Sequence, residues 1–143
     1  MSVEIDILPL VDDRAEAARL AYLIEGVAGE WSPFEEQHGF SIDGVDWDTA
    51  VLPDGWRERL VLVQNANTAA PSGALQYIGW CLDKEDLCVA KLCAFREKDQ
   101  NFVGALLDAG LVDAEVITTR LSTVPKEHLT TTERPLAWIA ARA

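Results

Sequence analysis

Residues 83–95 read DKEDLCVAKLCAF and contain the clearest helix signal in the chain. Asp83 is a good N-cap, and the acids that follow it suit the positive end of a helix dipole. From Leu87 to Phe95 every residue is apolar except Lys91. The stretch therefore predicts a helix that packs into a core, and the rest of the fold can be worked out from it in both directions.

Upstream of this helix, strand patterns and one helix pattern are mixed. Val3 to Leu8 alternates between apolar and acidic residues, which predicts a strand. Asp12 and Asp13 then offer N-caps for a helix that ends near Gly26 or Gly29. We expect its core-facing stripe to consist of Ala17, Leu20, Leu23, Ile24 and Val27. The chain from 31 to 56 reads as irregular, with short extended pieces at 40–42 and 50–52. A further strand is predicted at 59–64, and residues 77–82 form either another strand or a loop that leads into the next helix.

Downstream, only helices are predicted. One covers 101–107 and ends at Gly110, a second runs from an Asp113 cap to Leu121, and the tail from 130 to 142 is a third. This order predicts an α+β fold, in which a small mixed sheet is covered by helices and followed by a C-terminal helical lobe. We expect a single domain over residues 1–143, with a sheet-containing part at 1–82 and a helical part at 83–143.

The composition excludes several classes of protein. The chain has 143 residues and a net charge of -12, which disfavours non-specific binding to nucleic acid. The N-terminus lacks the features of a signal peptide, and no apolar run is long enough for a membrane helix, so we expect a cytoplasmic protein. Three cysteines and two histidines predict free thiols and no zinc site, and Cys88 and Cys93 are expected to be buried.

Glu4 and Asp6 form the first candidate site. Two carboxylates two positions apart on a strand point from the same face, and together they could hold a divalent cation such as Mg²⁺. The alternative is that they belong to the solvated face of a half-exposed strand.

The second candidate site lies around Lys91. A charge in an apolar helix either extends its ammonium group to solvent or meets an anion such as a phosphate. Nearby, Arg96 to Asp99 is a run of charges that could simply be solvated. Asp99 could pair with Lys91 or with Arg96, and the spacing leaves both pairings open.

Three segments resemble a known family. Residues 86–99 are similar to the pattern D-L-x-x-x-K-L-x-A-x-R-x-K-D of bacterial nucleotidyltransferase-like proteins. Residues 4–9 resemble the family's acidic strand, D-[IV]-D-[IVL]-x-P, and residues 53–60 resemble its P-x-x-W-x-x-R-L element. The resemblance covers roughly residues 3–121. Related toxins of abortive-infection systems carry a similar lysine helix.

The resemblance implies a polymerase-β-like nucleotidyltransferase core. Glu4 and Asp6 would then be ligands of Mg²⁺ beside a nucleoside triphosphate. Lys91 and Asp99 would be catalytic residues, and Lys91 and Arg96 would bind the nucleotide.

The chain departs from the family pattern in two ways. The Gly-Gly or Gly-Ser turn upstream of the acidic strand is not in this sequence, and the strand at 59–64 carries no third carboxylate, for which Asp83 or Asp86 is a poor substitute. We therefore expect a nucleotidyltransferase-like protein that is incomplete as a catalyst. It would act as a binding or interaction module, as a homodimer or with a protein partner, for example in a toxin–antitoxin pair. The alternative is an active Mg²⁺-dependent enzyme that transfers a nucleotidyl group from a nucleoside triphosphate.

Overall fold

The computed structural model describes residues 3–74 and 77–142. The chain divides after Ala50 into two compact units. Within the described residues there are six α-helices and four short strands, so the predicted α+β class is confirmed. The strands form two separate two-stranded sheets, one parallel and one antiparallel, where the sequence predicted one mixed sheet. None of the described helices is long and apolar enough to cross a membrane.

The first unit contains two strands and two helices. Its elements are β1 (Glu4–Ile7), α1 (Arg14–Ala28), α2 (Pro33–His38) and β2 (Ser41–Gly44). β1 and β2 pair in parallel, with Asp6 opposite Asp43 and Ile7 opposite Gly44. Two parallel neighbours need a crossover connection, and α1 and α2 provide it.

Helix α2 was not predicted, because residues 31–56 read as irregular. Its signals are nevertheless local. The Ser32 side chain accepts a hydrogen bond from the backbone N–H of Glu35 at 3.2 Å, Pro33 opens the first turn, and Gly39 ends the helix at φ +79°. With six residues, α2 is too short to show an apolar stripe, so periodicity alone misses it.

The core-facing side of α1 differs from the predicted stripe. Leu23 and Val27 are 47% and 71% exposed, so the prediction is wrong for these two residues. The buried positions of the helix are all alanines: Ala17, Ala21 and Ala28. The reason is a close approach at Gly44, where a Cβ atom would lie 1.9 Å from the carbonyl oxygen of Ala21. Only small residues fit between α1 and β2 at that distance.

This contact makes Gly44 sensitive to substitution. Gly44→Ala is expected to destabilise the protein by about 2 to 3 kcal/mol, because the added methyl group meets helix backbone that cannot rotate away. Gly26→Ala is the matched control, since a Cβ at that α1 position meets nothing within 4 Å. It should be neutral or stabilise by about 0.5 to 1 kcal/mol. Urea unfolding of both variants measures the difference, and equal stabilities would contradict the contact.

The described residues of the second unit form the antiparallel strands and four α-helices. Its elements are β3 (Val61–Val63), β4 (Gly79–Cys81), α3 (Lys84–Ala94), α4 (Glu97–Asp108), α5 (Ala114–Leu121) and α6 (Glu133–Arg142). Short 3-10 segments cover Trp56–Arg59 and Lys126–Thr132. The predicted strand at 59–64 is confirmed as a shorter strand. Of the two readings of residues 77–82, the strand is the one found, and residues 50–52 form none. The predicted helices are confirmed, with the tail divided between a 3-10 segment and α6.

Helix α3 lies in the core of this unit. Cys88, Val89 and Leu92 are fully buried, and they belong to one cluster with Val103 of α4 and Ile117 of α5. Burial, with the added negative charges of Glu85 and Asp83, raises the pKa of the Cys88 thiol to about 12. Cys88 is therefore a packing residue and not a nucleophile, as the sequence predicted.

Candidate functional site

Three carboxylates meet on one face of the parallel sheet. Paired residues of β1 and β2 share a face, which places Glu4, Asp6 and Asp43 on one side. The opposite side faces α1, since Gly44 contacts that helix. One oxygen atom from each of the three carboxylates lies within 4.8 Å of the other two.

Asp43 is the third carboxylate that the sequence analysis did not find. The family pattern places this carboxylate on a later strand, and the strand at 59–64 carries none, but the strand paired with β1 is β2. The predicted extended piece at 40–42 stopped one residue short of Asp43, and nothing local shows that it pairs in parallel with β1. The expectation that the chain lacks a third acid near Glu4 and Asp6 is therefore wrong.

The electrostatics of the cluster favour a bound cation. The pKa of Asp43 is raised, first by partial burial and then by the negative charges of Glu4, Asp6, Glu25 and Glu30. Because these groups repel one another, a cation placed among them would relieve an unfavourable interaction.

The donor set also fits Mg²⁺, which prefers carboxylate oxygens. Ligand oxygens around an octahedral Mg²⁺ are separated by about 3 to 4.2 Å, given bonds of about 2.1 Å. The three carboxylates, whose oxygens lie within 4.8 Å of one another, are therefore of a chemical type and spacing that fit Mg²⁺.

Basic groups are scarce in the first unit. Residues 1–50 include twelve acidic and two basic side chains. Arg14 pairs with Asp48 at 3.1 Å, and Arg19 pairs with Glu16 at 2.6 Å. A phosphate group that approaches the carboxylates would meet a negative field unless a cation accompanies it.

The other predicted site residues lie in the second unit. Lys91 occupies the last turn of α3 and is half-buried. Asp99 is buried and accepts hydrogen bonds from Nε of Arg96 at 2.7 Å and from its backbone N–H at 3.1 Å. The structure contains the pairing with Arg96, one of the two that the sequence left open, and Asp99 thereby closes the first turn of α4. The catalytic and nucleotide-binding roles of Lys91, Arg96 and Asp99 stay predictions.

Asp86 has a role that sequence reasoning missed. Its fully buried carboxylate accepts hydrogen bonds from Nε and Nη2 of Arg59 at 2.8 and 3.0 Å and from Nη1 of Arg120 at 2.9 Å. Arg120 also contacts Asp83. Burial tends to raise the pKa of Asp83, but the hydrogen bond and charge of Arg120 outweigh it and lower that pKa.

Arg59 and Asp86 belong to two different family-like segments. Arg59 lies in the element at 53–60, and Asp86 begins the signature at 86–99. Because their ion pair joins these segments, part of the family-like pattern at 86–99 stabilises the packing of the second unit.

A groove in the second unit is a further candidate binding site. Its volume is about 670 Å³, and Pro53, Trp56, Arg57, Ser122 and Lys126 contribute to its walls. It contains apolar surface and charges of both signs.

The acidic strand and the two joined segments are the parts of the chain that resemble nucleotidyltransferase-like proteins, and a family profile supports that class. More narrowly, the chain belongs to the family described as nucleotidyltransferase of unknown function, DUF6036, whose profile matches residues 4–135. The match confirms that the chain is nucleotidyltransferase-like, and the matched residues include Glu4, Asp6 and Asp43. The polymerase-β-like core and the relation to abortive-infection toxins stay predictions. No curated protein and no solved structure gives a significant match to this chain.

Proposed function

We propose that Glu4, Asp6 and Asp43 hold Mg²⁺ together with the phosphates of a nucleoside triphosphate, and that the protein transfers a nucleotidyl group from it. The observation that carries this proposal is the pairing of β1 with β2, which brings the third carboxylate to the other two. Without Asp43 the sequence favoured an incomplete catalyst. With it, the active alternative becomes the better supported one.

Each residue has a definable part in this function. Glu4 and Asp6 present their oxygens from alternate positions of one strand, and Asp43 presents its own from the neighbouring strand. Asp43 has to be ionised to act as a ligand, so cation binding releases a proton at any pH where its raised pKa keeps the carboxyl group protonated. When bound, Mg²⁺ would neutralise the charge of the phosphates and polarise the phosphoryl group.

A non-catalytic binding module is the second candidate. One observation favours it, namely that both basic side chains of the first unit are already in ion pairs. A triphosphate bound there would depend on the cation or on basic groups from outside residues 1–50. The self-association and the toxin–antitoxin context expected from the sequence stay predictions under either candidate.

An assay of pyrophosphate release separates the two candidates. The full chain is incubated with Mg²⁺, total RNA and each of the four nucleoside triphosphates labelled at the α-phosphate. We expect release from at least one of them, with label transferred to RNA or to protein. Release should fall about a hundredfold or more in Asp43→Asn, because a charge-stabilising ligand is lost.

Asp48→Asn is the matched control. It makes the same chemical change in the same unit, at a side chain that is 84% exposed. Its activity should equal that of the wild type. Mg²⁺-dependent nucleotide binding without any release would support the non-catalytic module, and release that persists in Asp43→Asn would contradict the proposed site.

A further inference from the structure

We infer that an apolar surface of the first unit is a docking site for a basic amphipathic helix of a partner protein. The surface, called here the β1–α1 surface, consists of Val3, Ile5, Ile7, Leu20, Leu23 and Val27. It lies on the face of the sheet opposite to Glu4, Asp6 and Asp43. The inference therefore does not rest on the proposed nucleotide site.

The strand half of this surface is left uncovered by α1. Ile7 shares a sheet face with its partner Gly44, so Val3, Ile5 and Ile7 point to the side of the sheet on which α1 lies. Because α1 packs closely on β2, these three side chains remain 54%, 47% and 39% exposed. Apolar side chains beside a helix are ordinarily buried in a core. These three are exposed to solvent and could contact a partner protein.

The helix half borders the strand half. Leu20, Leu23 and Val27 follow one another at helical spacing, roughly a quarter turn away from the buried alanine side of α1. β–α–β connections are right-handed, which puts this flank of α1 on the side of β1. Leu20 is half-buried, whereas Leu23 and Val27 are 47% and 71% exposed. In the proposed docking site, the helix flank and the strand are the two walls of one apolar trough.

The net negative charge of the first unit indicates which kind of partner would bind in the trough. The trough belongs to a unit with twelve acidic and two basic side chains, while residues 51–143 have twelve and ten. A second copy of the chain would bring the same negative charge to the interface and be repelled. A helix with apolar residues on one face and lysines or arginines on the other matches both the apolar trough and the net negative charge of the unit. Helices commonly bind such grooves through anchors at helical spacing.

A designed peptide tests the inference on the full chain. The probe is a fluorescein-labelled helical peptide of about 18 residues, with leucines along one face and lysines elsewhere. A matched peptide carries glutamates in place of the lysines. Fluorescence anisotropy should show binding of the lysine peptide alone, and the binding should weaken as NaCl rises from about 50 to 300 mM.

Two neighbouring substitutions locate the binding. Leu23→Lys places a charge in the trough, while Tyr22→Lys makes the same change one residue earlier, on another side of α1, at a residue that is 78% exposed. We expect at least a tenfold loss of affinity in Leu23→Lys and less than a twofold change in Tyr22→Lys. If circular dichroism shows that Leu23→Lys is unfolded, Val27→Lys replaces it with the same expected loss.

Several results would overturn the inference. No binding of the lysine peptide, or equal binding of the glutamate peptide, would remove the charge argument. Equal losses in the two lysine variants would show attraction to net charge without docking in the trough. A concentration-dependent doubling of mass in sedimentation, abolished by Val27→Lys, would show that the occupant is a second copy of this chain.

Discussion

Asp43→Asn is expected to stabilise the metal-free protein and, at the same time, to remove most of its stabilisation by Mg²⁺ and nucleotide. The two effects have one origin. The raised pKa of Asp43 means that its charged form is disfavoured in the folded state, by burial and by the surrounding carboxylates. A neutral amide removes that repulsion, and it also removes the charge that would bind a cation. If Asp43 only stabilised the fold, its replacement would instead destabilise the metal-free protein.

The pH dependence of the free energy of unfolding follows from the same raised pKa of Asp43. The folded-state pKa of Asp43 lies above its unfolded value near 4, so the unfolded chain loses this proton first as the pH rises. The contribution of Asp43 to the free energy of unfolding therefore falls between the unfolded and the folded pKa. The stability difference between Asp43→Asn and the wild type should grow across this window and then remain constant. In the same window, the affinity of the wild type for Mg²⁺ should rise with pH.

Thermal unfolding of both proteins, with and without Mg²⁺ and ATP, measures these effects. Asp48→Asn serves as control, because its pair with Arg14 is exposed and should contribute less than about 1 kcal/mol. If Asp43→Asn destabilised the metal-free protein, or kept the full response to Mg²⁺ and ATP, the three carboxylates would not form the proposed site.

The second large effect is expected at Asp86. Asp86→Asn should destabilise the protein by about 3 to 5 kcal/mol, because it leaves the guanidinium groups of Arg59 and Arg120 without their buried counter-charge. The Asp86 side chain is fully buried, and those of the two arginines are 30% and 20% exposed, so water compensates little of the loss.

The control for this variant is Asp108→Asn. Asp108 also accepts a hydrogen bond from an arginine, Nη2 of Arg142 at 2.8 Å, but its side chain is 75% exposed. Its loss should cost about 0 to 1 kcal/mol. Urea unfolding followed by circular dichroism measures both variants, and equal midpoints would contradict the role assigned to Asp86.

Helix starts could be predicted from the sequence because caps are local. The side chains of Asp13, Asp83 and Asp113 each accept a hydrogen bond from a backbone N–H two or three residues later, at 2.9, 3.1 and 2.8 Å. These interactions depend on a few consecutive residues, so the pattern of acid and apolar residues suffices to place α1, α3 and α5.

The missed features depend on contacts between residues distant in sequence. Asp43 reaches Asp6 only through a parallel pairing 37 positions away, and Asp86 meets Arg59 across 27 positions. The buried side of α1 is set by the close approach of Gly44, which no helical period within α1 encodes. Local patterns found two of the three carboxylates, Glu4 and Asp6, and the pairing of β1 with β2 supplies the third.

The most direct test of the carboxylate site is a thermal-unfolding titration of the wild-type chain with ATP, GTP, CTP and UTP, each with and without Mg²⁺. At a hundred times the dissociation constant, a bound nucleotide should add about 2.7 kcal/mol to the free energy of unfolding. Stabilisation by at least one nucleotide, only with Mg²⁺ and absent from Asp43→Asn, is the predicted result. Stabilisation by none of the four, or stabilisation that does not need Mg²⁺, would contradict the site formed by Glu4, Asp6 and Asp43.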